Sequence, residues 1–227
     1  MSTHLYVIHQ RAGGSRLIMT YSVLAYDPVV GQAGVVVVSG AVAVGSRVPW
    51  GRHGVGVAAT QAYTNPALGP LVLEYLSKYP SADRALRRAL EHDPSPAHRQ
   101  VAVVDYRGDV AVHDGEWAPS WHGYLIHPKE PAVCIANLVP GPHVCEVAMR
   151  AFSRARGTVA ERLLAAAEAA HRAGGDRRGD RSSALLVVGQ TEYSPYYDRL
   201  VDLRVDYADD PISELRRLYA LTTGSGI

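Results

Sequence analysis

At 227 residues with 47% hydrophobic content, the chain can bury one sizeable core, as one large domain or two small ones. Its 23 Lys+Arg against 22 Asp+Glu leave +1, with the basic residues scattered, which argues against a nucleic-acid or other charge-driven partner. No apolar run reaches the ~18 residues of a membrane span, and residues 1 to 18 lack a signal-peptide core, so no membrane contact and a cytoplasmic location are expected.

In chain order, Leu5 to Ile8 alternate, and Arg11 to Arg16 with Gly13-Gly14 read as a flexible joint, so residues 1–19 look appended, as a propeptide or a mis-assigned start. A strand from Tyr21 to Asp27, a turn through Gly31 and a strand Gly34 to Ser39 make a hairpin; the run Val35 to Val38 suits burial on both faces. A third strand is expected over Gly54 to Thr60. Leu68, Leu71, Val72, Tyr75 and Leu76 define a helical face ending near Tyr79-Pro80, and Ser81 caps a second helix through His92. Gln100 to Val104 and Asp109 to Val112 flank a turn at Tyr106-Arg107-Gly108, with one more strand between Gly123 and Asn137.

Val144, Val147, Ala148, Ala151 and Phe152 form another helical stripe, and Thr158 with Glu161 is a capping box opening a helix that stops at Gly174-Gly175. Strands Ala184 to Val188 and Leu200 to Val205 are joined by a tyrosine-rich loop, Tyr193 to Tyr197, and Asp210-Pro211 starts a last helix. No linker divides the chain. The order strands, two helices, strands, two helices, strands, helix predicts an α+β fold, a four-layer αββα sandwich of two mainly antiparallel sheets in a single domain over 20–227.

The chemistry centres on Thr20, which follows Met19 at the head of a strand. A threonine hydroxyl is a poor nucleophile, but a free α-amine on the same residue, titrating near ~8, can serve as its base. Judged on the strand alone, Thr20 is an ordinary β-branched residue and Ser22, two residues on, shares its face. Ten histidines include no close-spaced ligand motif, and Gly54-Val55-Gly56 lacks the continuation of a dinucleotide fingerprint, so neither a metal nor a cofactor is expected. Cys134 and Cys145 make no disulfide framework and read as small buried hydrophobes.

Thr20 to Val23, Gly34 to Ser39, Ala43 to Ser46, Val48-Pro49-Trp50, Ala59 to Pro66, Gly174 to Gly179 with Ser182, and Asp198 to Val205 together resemble the DUF1028 family of the N-terminal nucleophile (Ntn) hydrolase superfamily over residues 20 to 221. The resemblance implies the αββα sandwich and a catalytic Thr20 whose amine must be free. With it come Asp176 and Ser182 as a buttressing carboxylate and hydroxyl; Gln61 and Asn65, at and just beyond the end of the third strand, are the amide candidates for the donors that an oxyanion needs. Ser39, Arg47, Arg52 and Asn137 are assigned to substrate binding; arginine stays charged, so Arg47 and Arg52 can bind a carboxylate or lower an amine pKa without acting as bases. Turn chemistry at Asn65-Pro66 and an arginine–carboxylate network around Asp176 are the structural readings of the same residues.

The expected activity is hydrolysis of a small amide or acylated amino compound through an acyl-enzyme, in a homo-oligomer. The alternatives are an Ntn-type fold without this nucleophile, cyclohydrolase-like, and a non-catalytic binding or assembly protein using the tyrosine-rich loop.

Overall fold

The computed structural model describes residues 17–18, 20–119 and 121–224, with Leu17 and Ile18 described by backbone alone. The expected alternating stretch at Leu5 to Ile8 and the joint at Arg11 to Arg16 lie outside the described residues. The strands are β1 (Leu17–Ile18), β2 (Thr20–Asp27), β3 (Gln32–Ser39), β4 (Pro49–Arg52), β5 (Gly56–Tyr63), β6 (Arg99–Asp105), β7 (Val110–Asp114), β8 (His122–Ile126), β9 (Ala132–Asn137), β10 (Ser182–Val188) and β11 (Arg199–Val205). The helices are α1 (Leu68–Lys78), α2 (Ala82–Leu90), α3 (His143–Arg154), α4 (Val159–Arg172) and α5 (Pro211–Thr222).

Two antiparallel sheets result, one of six strands ordered β11-β10-β3-β2-β9-β8 and one of five ordered β1-β5-β6-β7 with β4 also on β5. Their packing explains the run of valines in β3. Val36 and Val38 pack with Tyr21, Val23 and the helical residues Phe152, Leu163 and Leu215, whereas Val35 and Val37 meet Val57, Ala59 and Val104 of the other sheet. A third cluster fixes α1 and α2 to the outer face of the five-stranded sheet through Leu68, Val72, Leu86, Val101 and Val103. Apolar side chains on both faces of both sheets are thus removed from water, the main stabilising term of such an arrangement.

Local signals hold at several boundaries. Ser81 accepts from Arg84 N, the Thr158–Glu161 capping box is formed, and Asp210 accepts from Ser213 N at 3.0 Å. Gly69, in the first turn of α1, sits so close to Trp50 that a Cβ there would fall 2.0 Å from the indole, and this lets α1 approach β4. The expected third strand runs later than expected, as β5, because Gly54 occupies the left-handed region (φ +73°) in the turn that precedes it. Pro49–Arg52 forms a short strand that periodicity over four residues does not reveal. The single strand expected between Gly123 and Asn137 is two, β8 and β9, separated by a turn containing Pro128 and Pro131.

Cys134 on β9 and Cys145 on α3 are free, buried and side by side. Burial, reinforced by the neighbouring thiol, pushes Cys134 well above its ordinary range. Both thiols are therefore expected to resist a thiol-titrating reagent at pH 8 in the folded protein and to react completely in denaturant; fast labelling of the native chain would contradict this packing.

Candidate functional site

One end of the six-stranded sheet carries a polar row. Cross-strand pairing places Ser182 opposite Ser39, Ser39 opposite Thr20, Thr20 opposite Asn137 and Asn137 opposite His122. Residues paired in this way project on one face with Cβ atoms about 5 Å apart. The alternation that sends Tyr21 and Val23 toward the helices sends Thr20, Ser22 and Leu24 toward the other sheet. Thr20, Ser39, Asn137 and Ser182 are all fully buried. Thr20 Oγ1 donates to Ser39 Oγ at 3.2 Å, and the N–H of Ala41 donates to the same oxygen at 3.0 Å.

Facing this row, the five-stranded sheet supplies Gln61 and Gln100, themselves cross-strand partners. Gln61 accepts from Ser22 Oγ at 2.7 Å, and its Nε2 donates to Gln100 Oε1 at 2.7 Å and to the carbonyl of Thr20 at 3.2 Å. Gln100 Oε1 also accepts from Asn137 Nδ2 at 3.1 Å. Gln100 Nε2 donates to Asp114 Oδ1 at 2.9 Å and reaches the carbonyls of Gly123 and Ala136 at 3.2 and 3.1 Å. Asp114 Oδ1 lies 2.9 Å from His122 Nδ1, so a chain of polar groups runs from partly exposed His122 to Thr20. Asn137 Oδ1 is buried with no hydrogen-bond partner among the described residues.

Asp176 and Ser182 act on the turn after Ser39 and not on Thr20 directly. Asp176 accepts from Gly40 N at 2.7 Å and is clamped by Arg178 through Nε at 3.1 Å and Nη2 at 2.8 Å. Gly40 is required there because a Cβ would meet Gly179 O at 2.8 Å and Asp176 Oδ2 at 2.9 Å. Ser182 Oγ donates to Ala41 O at 2.6 Å and receives Val44 N at 3.2 Å. On the helix side of the sheet, Asp180 accepts from Tyr21 Oη at 2.8 Å and from Asp176 N at 3.0 Å, and lies 2.7 Å from His171 Nδ1. Burial, with the Asp180 carboxylate second, pushes the Tyr21 phenol well above its usual value, so it stays a donor.

The remaining sequence candidates sit elsewhere. Asn65 opens the turn into α1 by accepting from Ala67 N at 3.1 Å, and its Nδ2 donates to Asp93 at 2.8 Å. Arg47 donates to Val42 O at 3.2 Å in the turn after Ser39. Arg52 donates to Leu73 O at 2.8 Å and lines a cleft of about 400 Å³ with Trp50, Leu73, Tyr196 and Tyr197. No group of three or more His, Cys, Asp or Glu among the described residues has a metal-holding arrangement.

Gln100, Asp114 and His122 complete the network without having been singled out by sequence reasoning for this role. The available signal is a lone glutamine leading an apolar strand, opposite another glutamine once the register is known. Among the described residues, two of the three non-glycine positions with positive φ directly follow network amides, Ala62 (68°) after Gln61 and Leu138 (53°) after Asn137. Such backbone costs on the order of 1 kcal/mol or more and turns the chain sharply at the site.

Replacing Gln100 with Met removes the hub while filling its volume. At least about 2 kcal/mol of unfolding free energy should be lost, because Asp114 and the amides of Gln61 and Asn137 lose partners in the interior; an unchanged urea midpoint would show the network to be dispensable. A second substitution tests the scaffold around Asn65. Burial alone would raise Asp93, but hydrogen bonds from Arg99, Asn65 and Ser95 outweigh it and hold the carboxyl below its usual range. A depressed folded pKa contributes stability that is present above the unfolded value, ~3.9, and lost as pH falls through the folded value. Asp93→Asn should therefore cost roughly 3–5 kcal/mol at pH 7, setting a neutral amide in place of the carboxylate that faces buried Arg99, and show a smaller loss of Tm below pH ~4 than wild type.

Residues 20–215 match DUF1028, a family of unknown function. The crystal structure of protein SPO2555 from Silicibacter pomeroyi, assigned to the same family, is similar over 90% of this chain and 86% of its own, with a TM-score of 0.81 and 31% identity. No curated protein matches. The matched span and the likeness to that structure show that the chain belongs to the DUF1028 family.

Proposed function

We propose that this protein is an Ntn hydrolase with the αββα sandwich of that superfamily, cleaving a small amide or acylated amino compound through an acyl-enzyme on Thr20. The observation that carries the reading is the setting of Thr20: first residue of a central strand, first residue of the family match, hydroxyl bonded to Ser39 and carbonyl held by Gln61.

The mechanism needs the amine of Thr20. In the neutral form it takes the hydroxyl proton as Oγ1 attacks the substrate carbonyl, and the tetrahedral intermediate collapses by passing that proton to the leaving nitrogen. Water then hydrolyses the ester, with the same amine as base. Ser39 orients Oγ1, and Asp176 with Ser182 fixes the turn that carries Ser39. Both hydrogens of Gln61 Nε2 are committed, to Gln100 and to the Thr20 carbonyl, whereas Asn137 Nδ2 gives one to Gln100 and keeps one for a developing oxyanion.

While residues upstream remain attached, the nitrogen of Thr20 is an amide and no base is present. Leu17 and Ile18 also pair with Tyr63 and Ala62 at the end of β5, next to Gln61. Removal of residues 1–19, or synthesis from Met19 followed by methionine removal, frees both the amine and that edge. The exposure of Tyr193, Tyr196 and Tyr197 supports self-association through this loop. No helix among the described residues is long and apolar enough to cross a membrane.

Intact-mass analysis paired with turnover of an acyl-amide library tests the proposal. Active material should begin at Thr20, and Thr20→Ala should lose about 10³-fold or more in kcat. Activity from chains that retain residues 1–19, or equal turnover by the alanine variant, would overturn it.

A further inference from the structure

We infer that Asn137 Oδ1 is the acceptor for the α-amine of Thr20 once the chain begins there, making Asn137 the positioning residue for the general base. The inference rests on the reading of Thr20 as nucleophile and adds what holds its amine.

The orientation of every amide in the network follows from its far end. The Asp114 carboxylate and the carbonyls of Gly123 and Ala136 accept only, so Gln100 must turn Nε2 toward them and Oε1 toward the interior. Gln61 and Asn137 then both present their NH2 groups to that oxygen. Gln61 Oε1 is satisfied by the Ser22 hydroxyl, but Asn137 Oδ1 ends the network with no donor among the described residues. Flipping Asn137 would set two acceptor oxygens against each other. A fully buried acceptor without a donor is expensive, and here the cost falls on the residue directly opposite Thr20, on the same face of the sheet.

Thr20 supplies the missing donor only when it is the first residue. Its hydroxyl hydrogen goes to Ser39 and its carbonyl is held by Gln61, so those atoms are already engaged. Its nitrogen is the atom that changes on release. A peptide nitrogen carries one hydrogen, whereas a protonated α-amine carries three. Asn137 Oδ1 then stabilises the positive charge that forms on the amine as it takes the Oγ1 proton. The other titratable groups around this point are Asp114 and His122, reached through Gln100 and Asn137, Asp176 behind Gly40, and Arg47 in the following turn. Tyr21 and Asp180 lie on the opposite face of the sheet.

The experiment uses the chain starting at Thr20, which retains every residue of the three buried clusters, from Tyr21 to Tyr219. The α-amine is titrated by NMR on ¹⁵N-threonine-labelled protein carrying Asn137, Asn137→Asp or Asn137→Leu, each first shown to be folded by near-UV circular dichroism. Loss of the acceptor in Asn137→Leu should lower the amine pKa by about one unit, and the carboxylate of Asn137→Asp should raise it by about one unit. The acid limb of the kcat profile should move with it. A merely structural role would change stability and leave the titration in place. Amine pKa values agreeing within about 0.3 across the folded variants would overturn the inference, even where Thr20→Ala is inactive; should Asn137→Leu fail to fold, Asn137→Asp decides alone. Turnover surviving in Thr20→Ala would instead sink the nucleophile reading, which the titration does not test.

Discussion

The space between the two sheets is apolar along most of its length and polar at one end, and that polar end must be satisfied without water. Gln61, Gln100, Asn137, Ser22, Ser39 and Thr20 are fully buried there, in a region where an unpaired amide or hydroxyl costs a few kcal/mol. Hydrogen bonds across the gap replace hydration, and because each amide has a donor end and an acceptor end, one carboxylate at the margin sets the direction of the whole chain. Asp114 plays that part. The sheets are therefore held in register at this end by directional bonds and elsewhere by close-packed valines, leucines and alanines. A slip of one residue in β2 would send Thr20 and Ser22 to the helix side and take from Gln61 the partners it has on β2, the Ser22 hydroxyl and the Thr20 carbonyl.

Positioning of Thr20 follows from the same constraint. Thr20 is fixed through its hydroxyl and through its carbonyl, by groups belonging to different sheets, so its rotamer and its backbone are specified independently. Ser39 is in turn held by a turn that Asp176 grips from one side and Ser182 from the other, and Arg178 satisfies the rest of the Asp176 carboxylate. The residues matched to a buttressing role thus work one step removed from Thr20. With Thr20 as the proposed nucleophile, a geometry supported in this way would need little reorganisation as charge develops, which is how preorganised sites lower barriers.

What was legible in the sequence is what depends on local pattern. The valines of β3, the capping box at Thr158, the cap at Ser81 and the apolar stripes of the helices each reflect the chain's neighbours within a few residues, and each stands in the structure. Thr20 and Ser182 were singled out through a resemblance of motifs and Gln61 and Asn137 as amides at strand ends, and the structure brings these and Ser39 to one end of the sheets. Gln100, Asp114 and His122 carried no such signal, since a glutamine at the head of a strand gains meaning only when register sets another glutamine opposite it. Asn65 shows the converse. Its side chain serves the turn into α1 and the Asp93–Arg99 pair, which is the ordinary chemistry of an asparagine before proline.

The segment before Thr20 gains a physical meaning from β1. Leu17 and Ile18 pair with the end of β5 in one sheet, and by Thr20 the chain already belongs to the other, so it changes sheet immediately before Thr20. The peptide bond to the preceding residue keeps the Thr20 nitrogen an amide, while Asn137 Oδ1 opposite it has no donor among the described residues. The extended chain therefore carries an unmet polar demand at the point where a free amine would appear. On the proposed reading of Thr20, release of the segment would satisfy that demand, supply the base and open the end of β5 together, so that one peptide bond would couple maturation, local stability and chemistry.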